Sequence, residues 1–179
     1  MPYVRCASCG LTTFAVRSRA WASACPRCDQ SLSEPVAAEA DERRNVDTTL
    51  DLVRRVLEMD VAMVSEIDDV NEVARYVSGD WPGVARLEGA SLPLEETFCR
   101  RMLEGAIGNA VGDVAGDERV RDLQFAKGLG VGAWIGVPLS PSLGRLYVLC
   151  CLARESRQLG ERDVHVLRGF AATLDSRLG

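Results

Sequence analysis

One histidine, His165, and one lysine, Lys127 beside twenty arginines, are all that the 179 residues hold of those two types. A haem ligand or general base has to face a pocket. His165 instead falls on the polar side of the last helical stretch, near Arg162 and Arg168, so it is read as a solvated residue. The lone lysine reflects composition more than chemistry. No G-x-S-x-G elbow, Walker-type phosphate loop or H-E-x-x-H helix occurs, which removes the serine hydrolases, P-loop nucleotidases and zincin proteases. No stretch approaches the ~20 apolar residues that a bilayer-spanning helix needs. No apolar h-region follows Met1 either, so the chain is expected to be soluble and cytoplasmic, with no membrane partner.

Cysteine, in contrast, is present seven times, and four of the seven stand in a pattern. Cys6 and Cys9, then Cys25 and Cys28, form two C-x-x-C pairs separated by fifteen residues. Each C-x-x-C turn aims two sulfurs at one point while its backbone N–H groups favour thiolate charge. Two such turns close a tetrahedral shell around Zn²⁺. Gly10 supplies the positive φ that turns amides back toward sulfur, and Pro26 stiffens the second turn. Between the pairs, Thr12, Thr13, Phe14, Val16 and Trp21 suit a short β-hairpin, and the segment resembles a zinc ribbon. Two disulfides would need an oxidising compartment. A redox C-x-x-C would sit in a βαβ unit, which the pattern lacks. Four thiolates leave no open position, so the metal is expected to be structural.

Net charge is −5, but it is unevenly spread. Residues 1–33 carry Arg5, Arg17, Arg19 and Arg27 against Asp29, leaving 17 basic and 25 acidic residues for the remainder. Four arginines make a weak basic patch on a small module. Nucleic acid is therefore a lesser expectation than a protein partner, because an acidic main domain repels phosphate. Ser33 to Arg44 is polar, small and interrupted by Pro35, and reads as the boundary, with its Ala/Glu/Arg end able to begin a helix that continues into the next element. The domains are expected at 1–33, 34–45 and 46–179.

Past the boundary the periodicity predicts a helix from about Asp47 to Met59, with Val46, Leu50, Val53 and Leu57 on one stripe and Leu52, Val56 and Met59 on a second. Val61–Ile67 and Glu72–Val77 read as a hairpin. A helix follows through Leu94, Phe98 and Met102 and stops at Gly105, then a loop to Asp117 and a short helix from about Arg119 to Gly128. Glu95 and Glu96, adjacent at the start of the first of these, are explained by the helix dipole rather than as a catalytic pair. Val131–Leu139 and Arg145–Ala153 read as strands, the latter apolar on both faces, so that Cys150 and Cys151 point opposite ways as buried small hydrophobes. The last helix, about Glu161–Arg177, aligns Val164, Leu167, Ala171, Leu174 and Leu178. The order implies an α+β fold around an antiparallel sheet of five or six strands flanked by helices, preceded by the small ribbon hairpin.

Several segments of this region together resemble a bacterial GAF domain across about residues 46–179. They are Leu92-Pro93-Leu94-Glu95-Glu96-Thr97-Phe98-Cys99, Gly112-Asp113-Val114 with Asp117, Val131-Gly132-Ala133-Trp134-Ile135-Gly136-Val137-Pro138-Leu139, Gly144 to Cys151, and Leu159 to Asp163. The resemblance implies a sensory module: helices on one face of the sheet bundling into a homodimer, loops and short helices on the other closing over a small-molecule pocket. Known members bind ligands from cyclic nucleotides to haem and bilins, so the resemblance names no ligand. Cys99 lies between Phe98 and Arg100 with no histidine beside it, which argues against bilin attachment. The sulfoxide reductases of this type use cysteines on pocket loops, whereas Cys99 is placed on a helix and Cys150-Cys151 in a strand.

The expectation is a non-enzymatic, small-molecule-sensing signal-transduction protein, its structural Zn²⁺ held by Cys6, Cys9, Cys25 and Cys28. The pocket would be bounded by Phe98, Cys99, Met102, Asp113, Val114 and Trp134. Two alternatives stay open: a thiol-dependent reductase acting through Cys99, and a ribbon scaffold recruiting nucleic acid or protein beside a GAF fold that holds no ligand.

Overall fold

Tyr3-Val4-Arg5 and Thr12-Thr13-Phe14 are β-branched and aromatic tripeptides on either side of the first cysteine pair. They form strands β1 (Tyr3–Arg5) and β2 (Thr12–Phe14), antiparallel, with Val4 opposite Thr13. The hairpin therefore encloses Cys6 and Cys9 instead of joining the two knuckles, because Tyr3–Arg5, before the first cysteine, supplies its first strand. The structure is a computed structural model that describes residues 3–6, 8–14, 25–30, 36–79, 81–82, 86–139 and 145–178. Val16 and Trp21 of the expected hairpin, and Arg17 and Arg19 of the basic patch, lie outside those residues. The chain divides into two compact units, Met1–Asn45 and Val46–Gly179.

Helix α1 runs from Val36 to Val56, beginning eleven residues before the predicted Asp47. Ala37, Ala38, Glu39 and Ala40 are strong helix formers, and they extend the helix through much of the stretch read as a linker. At its other end, the Glu58 amide donates to the Arg55 carbonyl and the Met59 amide to Arg54. That is a Schellman closure, with Glu58 at φ 52° in the left-handed position that glycine favours. The turn stops the helix three residues short of Met59.

In the second unit, β3 (Val61–Ile67) and β4 (Asn71–Gly79) form the predicted hairpin. Its turn is closed by Asp68, whose Oδ1 accepts the amides of Val70 at 2.8 Å and Asn71 at 2.6 Å; those amides hold its carboxyl below the usual range. β5 (Ser91–Pro93) pairs with β4, and a 3-10 turn over Leu94–Glu96 leads to α2 (Phe98–Leu103). The helix expected through Leu94 is thus broken at Thr97, which is extended and caps α2: its hydroxyl accepts from the Arg100 amide and donates to the Leu94 carbonyl. β6 (Ala110–Val111) lies in the expected loop. α3 (Gln124–Leu129) ends at Gly130, φ 70°, not at Gly128, because Gly130 carries the left-handed cap. β7 (Ala133–Pro138), β8 (Leu146–Ala153) and α4 (Glu161–Leu178) complete the unit.

The six strands pair antiparallel in the order β5-β4-β3-β8-β7-β6. One face carries Ala62, Val64, Ala133, Ile135, Val137, Leu149 and Cys151, packed with Val46, Leu50 and Val53 of α1 and Leu167, Ala171 and Leu174 of α4. This is the predicted helical face, built from the first predicted stripe of α1 and the stripe of α4. The opposite face carries Val61, Met63, Trp134, Val148, Cys150 and Leu152 and is covered by α2, α3 and the connecting segments. Cys150 and Cys151 do face opposite ways.

Candidate functional site

In the first unit the two cysteine turns are copies of one another in hydrogen bonding. The Cys6 amide donates to the Leu11 carbonyl and the Gly10 amide to the Cys6 carbonyl; the Cys25 amide donates to Gln30 and the Asp29 amide to Cys25. The residue four past each first cysteine has positive φ, Gly10 at 71° and Asp29 at 52°. Two such turns bring Cys6 Sγ to 3.6 Å from Cys28 Sγ and Cys9 Sγ to 3.5 Å from Cys25 Sγ. All four sulfurs lie within 4.8 Å of one another and could hold a metal ion. A tetrahedral shell at the usual Zn–S length of about 2.3 Å has sulfurs about 3.8 Å apart, so the donor set fits with only slight relaxation.

The sulfurs differ in acidity. The Cys9 amide, ahead of the Ser8 amide and the neighbouring thiols, lowers Cys6 to about 6 despite its burial. At Cys28, which is exposed, the Gln30 amide favours the thiolate, but partial desolvation and the other three sulfurs outweigh it and push the thiol to about 11. Four thiolates at these separations repel one another unless a cation sits among them.

In the second unit a different cluster lies on the face opposite α1 and α4. Glu72, Cys99 and Cys150 are 7 %, 1 % and 2 % exposed, and their ligating atoms all fall within 4.8 Å of one another. The Cys99 thiol donates to Glu72 Oε1 at 3.3 Å, while Glu72 Oε2 is buried with no hydrogen-bond partner. Ser65 Oγ, on the neighbouring strand, is likewise buried and unpartnered. Ser65 and Glu72 line a cavity with Met63, Ala74, Leu87 and Phe125; at about 10 Å³ it has the room of one water. The Cys99 thiol is held well above the usual thiol range, first by its hydrogen bond with Cys150, then by burial and the nearby Glu72 charge. Burial does the same for Cys151 on the other face.

Of the six residues expected to bound a pocket, Phe98, Cys99, Val114 and Trp134 meet in this same core. The Phe98 and Trp134 rings stack at 5.5 Å with 10° between their planes, and the indole lies over Gly136, where a side chain would come within 2.4 Å of it. Met102, half-buried, packs against this core and also lines an open groove of about 440 Å³ with Asn109 and Arg168. Asp113 is exposed and its Oδ1 accepts the Gly116 amide at 3.2 Å. His165 is exposed, as predicted.

Glu72 is the residue that strand periodicity misses. Val64 pairs with Tyr76 and Ser65 with Ala74, leaving Arg75 as a one-residue bulge in β4. The bulge shifts the phase of the strand, so Glu72 and Ala74 join Val77 on the inner side. The one available hint is that Glu72 alternates with small Ala74, and it does not identify a buried carboxylate.

No helix among the described residues is long and apolar enough to cross a membrane. No curated protein sequence matches the chain. Several solved structures share its fold. A GAF domain region from Geobacter sulfurreducens aligns with 82 % of this chain and 98 % of its own at 19 % identity and TM-score 0.63. A free methionine-R-sulfoxide reductase from Neisseria meningitidis, in complex with its substrate, aligns over 79 % of this chain and 80 % of its own at 21 % identity and TM-score 0.59. A phycoerythrobilin-bound GAF domain from a cyanobacterial phytochrome aligns over 79 % and 90 % at 16 % identity and TM-score 0.59. The GAF domain model matches residues 41–178, more than three quarters of the length, and with the six-stranded sheet between a helical face and a loop-covered face it places this chain in the GAF domain family.

Proposed function

We propose that this protein is a regulatory sensor: residues 46–179 bind a small molecule on the sheet face opposite α1 and α4, and residues 1–33 form a ribbon whose four cysteines hold a structural Zn²⁺ and engage a protein partner. One observation carries the reading. Ser65 Oγ and Glu72 Oε2 are buried, unpartnered and turned to one cavity, and a protein bears that cost where something arrives to satisfy the groups. The fold relatives include one bound to a bilin and one bound to its substrate, which agrees with a ligand-taking domain. In the closed form the cavity takes one water, so an organic ligand enters as Leu87 and Phe125 give way, and its preference for the opened arrangement transmits the signal.

Thermal unfolding of the full chain against cyclic nucleotides, bilins, haem and small metabolites tests this. A ligand present at 100 times its Kd adds about 2.7 kcal/mol and raises Tm by about 5 to 10 °C. Ser65→Ala should cancel that rise, while leaving the free protein about as stable because the unpartnered buried hydroxyl is removed. A panel that leaves Tm unmoved would count against the sensor.

The reductase reading is disfavoured by Cys99 itself. A nucleophilic thiolate needs exposure and a lowered pKa, and Cys99 is buried with its ionisation suppressed. Pairing with a second copy through α1 and α4 belongs to the proposal too. Leu52 and Val56, one turn apart on α1, are 51 % and 52 % exposed, although Met59 of the same predicted stripe is buried. Sedimentation should find a dimer that Leu52→Glu converts to monomer; a monomeric parent chain refutes the pairing.

A further inference from the structure

The core cluster of the second unit contains the donor set of a metal site that owes nothing to the ribbon. We propose that Glu72, Cys99 and Cys150 bind a thiophilic divalent cation of the Zn²⁺ class, two thiolates and one carboxylate from the protein, with a fourth position open to the cavity beside Ser65. The proposal rests on the reading of this sheet face as the ligand side and adds a metal ion to it.

Geometry, an unsatisfied carboxylate and charge all favour a cation here. The three donor atoms already lie within 4.8 Å of one another, and the 3.3 Å from Cys99 Sγ to Glu72 Oε1 is close to the S···O separation of about 3.6 Å that tetrahedral bonds of about 2.3 and 2.1 Å give. A buried carboxylate served by one thiol donor, with its second oxygen bare, is a costly thing to keep in an apolar core. A cation supplies what the carboxylate lacks. On binding, Cys99 and Cys150 release two protons as the dication enters, so the net charge of the buried site is the same before and after.

The supports come from separate elements: Cys99 from α2, Cys150 from β8 and Glu72 from the bulged β4. Phe98, Trp134, Met63 and Leu152 surround them with apolar surface, which strengthens metal–ligand electrostatics and fixes the side chains. The cavity of about 10 Å³ next to Ser65 and Glu72 admits a single small fourth ligand, a water or an equally small exogenous donor. Three protein ligands with one position open distinguish this site from the closed four-sulfur set of the ribbon.

The test is Co²⁺ titration of the full chain, freshly purified, reduced and stripped of metal under anaerobic conditions. The chain should bind two equivalents. Cys25→Ser/Cys28→Ser should bind one, with sulfur-to-cobalt absorption about half that of the ribbon site, because two thiolates replace four. Glu72→Gln and Cys99→Ser should each weaken the core site at least 100-fold, beyond the 10 to 100-fold loss that second-shell changes cause, and leave one equivalent bound. Glu72→Gln preserves shape and hydrogen bonding, so it decides the matter if Cys99→Ser does not fold. Saturation of the parent chain at one equivalent, two equivalents retained in Glu72→Gln, or recovery of Cys99 and Cys150 as a disulfide each overturns the site. A missing second equivalent alongside a compound that raises Tm in a Ser65-dependent way would sink the metal and leave the sensor standing.

Discussion

Serine in place of Cys25 should open both cysteine turns and the β1–β2 hairpin while leaving the second unit folded. Among the described residues of the first unit for which burial is defined, only Cys6 and Cys25 are buried. A unit of this size lies close to the limit of about 40 residues below which metals or disulfides are usually needed. Zn²⁺ in comparable four-ligand peptides contributes about 10 to 16 kcal/mol near neutral pH, which exceeds the total stability of most domains. Losing one ligand removes most of that and also leaves three sulfurs in mutual repulsion. The expected readout is loss of one metal per chain together with fast hydrogen exchange at the Cys6, Gly10, Cys25 and Asp29 amides, whose bonds close the two turns. Acidification should do the same to the intact chain, since protons compete with the cation for four thiolates. Exchange rates at those four amides that ignore both the substitution and chelation of the metal would show that the turns hold without an ion.

The four-cysteine cluster is legible in sequence because a C-x-x-C turn is a local device: its spacing, Gly10 and the second pair state the geometry within a few residues. Helical stripes are legible for a similar reason, and Val46, Leu50, Val53, Leu167, Ala171 and Leu174 are all buried as their spacing predicts. The ends of elements read less well. The start of α1 overlaps the linker because Ala37 to Ala40 suit helix and linker alike, and Thr97 splits one predicted helix into a 3-10 turn and α2 through a capping bond that periodicity does not encode. Glu72 was illegible for a different reason. Its burial follows from the bulge at Arg75, a property of how two strands pair and not of either strand alone. The short strands β5 and β6 exist only because β4 and β7 offer them edges, so three and two residues suffice where an isolated strand would not form.

Trp134→Ala is expected to be among the most damaging single changes in the second unit, and its effect separates wall from core. A residue that lines a ligand cavity can be truncated at small cost to the free protein, with the loss appearing in affinity. Trp134 is 1 % exposed, stacks on Phe98 and occupies the space that Gly136 leaves free. Removing its indole deletes apolar burial, abandons the ring contact and opens a void that β7, hydrogen-bonded to β6 and β8, cannot collapse to fill. Truncations of this kind cost about 3 to 5 kcal/mol, which for a chain of this length lowers Tm by about 10 °C or more. Because the void is dry and shaped like the group removed, free indole added at millimolar concentration should recover part of the loss. Calorimetry of the ligand-free variant reads both effects. A Tm within about 2 °C of the parent, unresponsive to indole, would move Trp134 from the packed core to the rim of an open pocket and restore it as a contact for the small molecule.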